Sequence, residues 1–221
     1  SPPKGTTVEG RPIVNLSLAL CNLSGTLDPA PFHVFNLVVH ILTGLAFFGL
    51  LRQTLVLPSL GGRYKVAAAP MALITALFFL VHPLQSESVT YIVQRAESLM
   101  ALFYLLTLYC AVRAQGARRA GRWTAAAIAA CALGMASKEV MASAPLMVAL
   151  YDRVFLFASF REAWAKRRRL YAGLALTWLI LLLSLFTTRG RSGTAGWHFV
   201  DMSPFDYAAT QCGLVAHYLR L

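Results

Sequence analysis

Apolar runs approaching membrane-crossing length follow one another through this chain with only short loops between them. A helix needs about 20 consecutive apolar residues to cross a bilayer. None of the runs alternates apolar and polar residues, as the strands of a membrane barrel would. With 57% hydrophobic and only 13% charged residues, an ordinary soluble domain is excluded. The expected fold is all-α, a polytopic transmembrane helix bundle. Taken in order, the runs give about seven spans: 32–57, 66–81, 99–112, 123–136, 140–151 with the apolar residues after it, 170–186, and a last one beginning at 207–221. Residues 1–33 are polar to mixed and rich in Pro and Gly. Their apolar stretch, 13–23, is too short to span and suits a helix lying in the interface. No repeat of 20–50 residues is present.

The net charge of +11 is distributed in a way that tests this count. If loops after alternate spans share a face, 14 of the 20 basic residues fall on one side with only Asp152 and Glu162. The other side receives six basic residues and seven acids, among them Glu9, Asp28, Glu87, Glu97 and Glu139. The positive-inside rule makes the basic side cytoplasmic. No base-reading motif or aromatic-basic interleaving accompanies the charge, so nucleic acid is not an expected partner. Cys21, Cys110, Cys131 and Cys212 form no C-x-x-C pair and read as buried small residues, with no disulfide framework and no metal site.

The polar residues of most interest then gather on the non-cytoplasmic side. After Pro83 the stretch 82–98 can start a helix. On that helix Glu87, Tyr91, Gln94, Arg95 and Ser98 share one face, and Val89, Ile92, Val93 and Ala96 the other. That describes an outer-face amphipathic helix presenting an acid and a base at the membrane rim. A solvated connecting helix, with Glu87 at a favourable N-terminus, fits the same pattern. In the first span His33, Asn36 and His40 lie on one helical face. Polar residues in a span face a bundle interior or cavity, or act as interhelical hydrogen-bonding glue. Ser137-Lys138-Glu139 is a tight charged turn on the same side. Ionisable groups at one rim suit chemistry on a lipid-linked substrate. A transporter would place them near the midplane, between inverted repeats.

Several motifs carry a resemblance together: Arg11-Pro12; Phe32-His33 with Asn36 and His40; His82-Pro83 with Glu87 and Val89; Arg95-Ala96-Glu97; Ser137-Lys138-Glu139; and Pro145 before Leu150-Tyr151-Asp152. As a set they resemble the membrane domain of the transmembrane and tetratricopeptide-repeat proteins, the O-mannosyltransferase-like branch of the C-type glycosyltransferase (GT-C) superfamily. The resemblance covers nearly the whole chain. It implies a polytopic enzyme that moves a sugar, mannose in the first instance, from a polyprenyl- or dolichyl-phosphate carrier to protein hydroxyls on the periplasmic or lumenal face. It implies a catalytic acid in the first outer loop, but residues 1–33 hold no Asp-Asp or Asp-Glu pair. The first span, that acid and the downstream repeats are therefore expected outside these residues, which read as a partial domain. The wording favours a bacterial inner membrane; in a eukaryote the endoplasmic reticulum membrane would be the host.

Within that reading, Glu87 is the choice for an acidic catalytic residue, with His82 beside it. Arg95 and Lys138 are the cations for the departing lipid phosphate, backed by Arg189 and Arg191, because an arginine fork suits phosphate. His33, Asn36, Glu97 and Glu139 complete the substrate-binding set. Glu97 and Glu139 could instead pair with Arg95 and Lys138 as structural bridges. An acidic outer loop can bind Mg²⁺ or Mn²⁺ beside phosphates, although no ligand set here demands a metal. The alternatives are a non-catalytic membrane scaffold of the same fold and a transporter of lipid-linked substrates.

Overall fold

Proline sets several of the helix boundaries in the computed structural model, which describes residues 10–23, 28–187, 210–211 and 213–214. Helix α1 (Pro12–Cys21) has Pro at its first position, where the missing N–H costs nothing. Helix α2 (Ala30–Leu55) opens in the same way, with Pro31 in its first turn. Helix α3 (Ala68–Val81) stops at His82, whose ψ of 133° is the extended conformation that a following proline demands. Then come α4 (Ser86–Thr90), α5 (Arg95–Ala114), α6 (Ala120–Met135), α7 (Ala144–Tyr151), α8 (Phe160–Leu176) and α9 (Trp178–Thr187). The described residues form helices and connecting turns, with no strand among them.

Side-chain contacts fix the directions. Arg95 at the start of α5 meets Phe32 and Asn36 at the start of α2, so these helices run parallel. Helix α3 returns alongside α2: the His40 Nε2 lies 3.0 Å from the Leu80 carbonyl oxygen. Helices α5 and α6 form an antiparallel hairpin, with Tyr109 edge-on to Trp123 at 5.8 Å near its turn. Helix α9 comes back to the start of the chain, where the Ser184 hydroxyl donates to the Gly10 carbonyl at 2.7 Å. The bundle thus has two ends. One holds Arg11, the start of α2, segment 82–98 and the turn at 136–139. The other holds the turns after α2, α5 and α7 together with the first half of α8. Among the described residues, the loops inferred from charge to share a side lie at the same end of the bundle.

Two helices are long and apolar enough to cross a membrane, Ala30–Leu55 and Ile92–Ala114; a third span results if Ala68–Val81 and Pro83–Thr90, bent by 59°, count as one. The expectation of seven is not confirmed. Helix α3 has 14 residues and α7 has 8, about 21 Å and 12 Å at 1.5 Å per residue, against a hydrocarbon core of about 30 Å. The expected seventh span lies almost wholly outside the described residues. The outer faces are nonetheless apolar: Phe78 is 69% exposed, Val81 75% and Leu183 66%. Water would penalise such faces and lipid would not.

Segment 82–98 is not the single amphipathic helix that its spacing suggests. It is a short turn of 3₁₀ helix (Pro83–Gln85), α4, an extended Tyr91 (φ −98°, ψ 119°), a second 3₁₀ turn (Ile92–Gln94) and then the first turn of α5. The basic run 166–169, which lies between two of the expected spans, is helical except at Arg167. At the start of α8 the Glu162 N–H donates to the hydroxyl of the N-cap Ser159 at 3.2 Å, and the N–H of Ala158, one residue before the cap, donates to the Glu162 carboxylate at 3.1 Å. Such reciprocal bonds satisfy the donors a helix start leaves open.

Candidate functional site

Asn36 and Arg95 lie at the centre of the end that carries the sequence-predicted residues. Asn36 is fully buried and Arg95 is 1% exposed. The Arg95 Nε donates to the Asn36 Oδ1 at 2.9 Å, one Nη to the Phe32 carbonyl at 2.9 Å, and the other to the Cys21 Sγ at 3.4 Å. Its guanidinium also sits over the Phe35 ring at 4.6 Å and the Phe32 ring at 5.4 Å. A buried arginine is costly unless its donors are met, and here three segments meet them. The expectation that Arg95 faces the rim as a phosphate ligand does not match this placement. Its side chain points inward and ties α1, α2 and α5 together, because it begins a helix instead of sitting on the outer face of one.

Asn36 uses its amide nitrogen on the other side, donating to the Tyr91 carbonyl at 3.3 Å and the Val89 carbonyl at 3.5 Å. The His33 Nδ1 lies 3.4 Å from the same Val89 oxygen. His33 and Asn36 thus hold the bent 83–94 segment in place. His82 accepts the Leu84 N–H at its Nδ1 at 3.2 Å, which spends that nitrogen on a local cap. Glu87 is exposed on α4 and accepts from the Gln94 amide at 3.5 Å.

A second group is built from three distant segments. Lys138 forms an ion pair with Glu97, and an Arg11 Nη lies 3.2 Å from a Glu139 oxygen. The structure thus pairs Glu97 with Lys138 and Glu139 with Arg11, in place of the Arg95 and Lys138 partnerships weighed from sequence. In the sequence, Arg11 stands out only as part of the Arg11-Pro12 motif. Its buried Nε meets no hydrogen-bond partner among the described residues. Burial and the Arg11 guanidinium draw the Lys138 ammonium below the usual lysine range, against the pull of Glu139. Ser137 is fully buried and donates to the Leu133 carbonyl at 2.8 Å, ending α6 so that Lys138 can extend outward. Arg189 and Arg191 lie outside the described residues. Among the described residues no group of three His, Cys, Asp or Glu side chains converges as a metal site.

The opposite end holds a buried ionic group that sequence spacing did not single out. An Arg167 Nη lies 2.5 Å from the Asp152 Oδ1, and the Tyr171 hydroxyl donates to the Asp152 Oδ2 at 2.5 Å. The other Arg167 Nη donates to the Ala111 carbonyl. Arg167 leaves helical geometry to make these bonds (φ −127°, ψ 24°). In the sequence Asp152 marks the end of an apolar run and of the Leu150-Tyr151-Asp152 motif, and Arg167 lies in a basic run; neither reveals its partner.

The dolichyl-phosphate-mannose-protein mannosyltransferase family matches residues 35–186. The chain is 35% identical over 128 residues to the human protein O-mannosyl-transferase TMTC4, covering 53% of this chain and 17% of that protein. It is 33% identical over 152 residues to the Xenopus laevis protein O-mannosyl-transferase tmtc2, covering 66% of this chain and 17% of that one. Human TMTC3 is 29% identical over 118 residues, covering 53% and 12%. The chain therefore spans about a sixth of the length of the first two of these relatives and an eighth of the third. No solved structure matches it. The matched region starts inside α2 and ends inside α9, so it takes in Asn36, the 83–94 segment, Arg95 and the Lys138–Glu97 pair. With its apolar spans and this match over most of its length, the chain is an integral membrane protein that belongs to the dolichyl-phosphate-mannose-protein mannosyltransferase family, related to the TMTC proteins.

Proposed function

We propose that this chain forms part of the membrane core of a protein O-mannosyltransferase, working on the non-cytoplasmic face with a polyprenyl- or dolichyl-phosphate-linked mannose as donor. The observation that supports it most is the convergence of Arg11, Glu97, Lys138 and Glu139 from three segments at one end of the bundle. The same end carries the polar 83–94 segment with Glu87 exposed.

The chemistry asks for two things. Negative charge grows on the lipid phosphate as the sugar departs, and prearranged cations stabilise it. Lys138 and Arg11 take this role; Arg95 positions them indirectly by joining α1, α2 and α5. Each cation is partnered by a carboxylate, which holds it in place until a phosphate competes for it. The acceptor hydroxyl needs a base within hydrogen-bond reach, and Glu87 is the exposed carboxylate on α4. His33 and Asn36 hold the segment that carries it, and His82 caps that segment's first turn. Mg²⁺ or Mn²⁺, where either accompanies the donor, would supply further charge to the phosphate. The described residues offer no set of three His, Cys, Asp or Glu ligands for such an ion.

The test is transfer by the full-length protein from polyprenyl-phosphate mannose to a protein acceptor, in reconstituted membranes. Glu87→Gln and Lys138→Met are expected to lose transfer while keeping fold and membrane insertion. Normal transfer by both variants would overturn these roles. Absence of transfer by the parent, with every candidate carrier, would favour the non-catalytic scaffold.

A further inference from the structure

At the basic end, two cavities lie next to each other. The larger has a volume of about 740 Å³ and is walled by Arg113, Arg118 and Arg119, with Gln115, Trp123 and Leu156 among its other lining residues. The smaller, about 360 Å³, is a cleft between α2 and α5, lined by Leu42, Leu45, Leu102, Leu106 and Tyr109 and reaching Arg52. Gln53 lines both. Tyr109 of the cleft touches Trp123 of the larger cavity edge-to-face at 5.8 Å. A charged chamber and an apolar cleft between α2 and α5 therefore lie side by side, with Gln53 in the wall of each.

No carboxylate among the described residues balances the charges of the chamber. Among the described residues, none of Arg113, Arg118 and Arg119 has a carboxylate in salt-bridge range. Arg113 stacks over Trp123 at 5.0 Å, and its buried Nε has no hydrogen-bond partner among the described residues. The two described acids at this end are committed elsewhere, Asp152 to Arg167 and Tyr171, and Glu162 to Lys166. A buried donor without a protein partner, beside two guanidinium groups without carboxylates, suits an anionic ligand. The adjoining cleft adds what a free anion would not need, a seat for a hydrocarbon chain.

We propose that this pair of cavities binds one anionic phospholipid, with its phosphate on Arg113, Arg118 and Arg119 and an acyl chain in the α2/α5 cleft. The site is separate from the charged pairs at the opposite end and does not depend on the transferase reading. Bound lipid would brace the turn between α5 and α6 against the C-terminal end of α2.

The experiment is native mass spectrometry of the delipidated full-length protein. It is titrated with phosphatidylglycerol or phosphatidylcholine of the same acyl chains, with inorganic phosphate as competitor. One phosphatidylglycerol is expected to bind at least tenfold more tightly than phosphatidylcholine. Removing a cation near an anionic lipid costs about fivefold in affinity, so Arg118→Gln/Arg119→Gln should weaken phosphatidylglycerol by about 25-fold. Both arginines are exposed, and unchanged thermal unfolding will show that the variant is folded. Arg168→Gln/Arg169→Gln, in the neighbouring basic cavity, should leave binding intact. Equal affinity for the two lipids would overturn the proposal. So would equal loss from both double variants, which marks diffuse charge attraction, or full displacement by equimolar inorganic phosphate, which marks a free-anion site.

Discussion

The Arg95 Nε lies 2.9 Å from the Asn36 Oδ1, both side chains buried, and this bond joins the starts of two parallel membrane helices. Asn36 is the hinge of the arrangement. Its oxygen takes the arginine and its nitrogen takes the backbone of residues 89 and 91. Replacing it by Leu leaves a buried guanidinium short of an acceptor. The expected loss is about 3 kcal/mol, the usual scale for breaking a buried charged contact from one side. Thermal or denaturant unfolding in detergent will measure it. The double variant Asn36→Leu/Arg95→Leu should recover part of the loss, because no charge is then left buried.

Asp152 carries the same argument at the basic end. Asp152→Asn removes the counter-charge of a buried arginine and is expected to cost about 3–5 kcal/mol. Tyr171→Phe removes one hydrogen bond and should cost about 1 kcal/mol or somewhat more. The Asp152 and Asn36 effects belong to separate ends and should add within about 0.5 kcal/mol. A strongly non-additive double variant, measured by the same unfolding assay, would show that the two ends are coupled.

Helices α2 and α5 approach closely at Gly49, where an added Cβ would lie 2.8 Å from a ring carbon of Tyr109. Small residues let membrane helices pack in this way. Gly49→Ala should cost about 1–3 kcal/mol through overpacking, and Gly49→Ala/Tyr109→Leu should restore most of it. Unfolding midpoints of the two variants decide the matter.

Lys138 gives a pH dependence with a definite sign. Its folded value lies below the unfolded value near 10.5. Between the two, the unfolded chain binds more protons than the folded one, so stability rises with pH across that window. Below it the penalty for a charged, half-buried ammonium is fully present. Lys138→Met should flatten this alkaline slope. A variant with the same slope as the parent would remove Lys138 as its source.

Glu87→Gln in the full-length protein should lower transfer about 10²-fold or more, the scale of a general base. The same variant should leave unfolding unchanged, since Glu87 is exposed and its contact with Gln94 spans 3.5 Å. Loss of activity together with loss of stability would make Glu87 a structural residue instead.

The sequence by itself determined the solvent and the class of fold. Apolar runs that do not alternate can satisfy their backbone in lipid only as helices, and the helices lie close to those runs. It determined the sorting of loops to two ends as well, because charge resists crossing hydrocarbon. Proline at positions 12, 31 and 83 set local boundaries by its fixed φ and missing donor. What sequence could not decide were partners chosen across the fold. The spacing of Glu87, Tyr91, Arg95 and Ser98 is helical. Yet Asn36 and His33, more than 50 residues earlier, take up the Val89 and Tyr91 carbonyls that a continuous helix would have used. That competition breaks the helix, turns Arg95 into the core and leaves Glu87 outside. Lys138 was legible as a cation, but its pairing with Glu97, and that of Arg11 with Glu139, came from the packing of α1, α5 and the turn after α6. Asp152 and Arg167 were legible only as members of an apolar run's end and a basic stretch. Their union depends on a local departure from helical geometry at Arg167, which the energy of a buried ion pair compensates and no periodicity records.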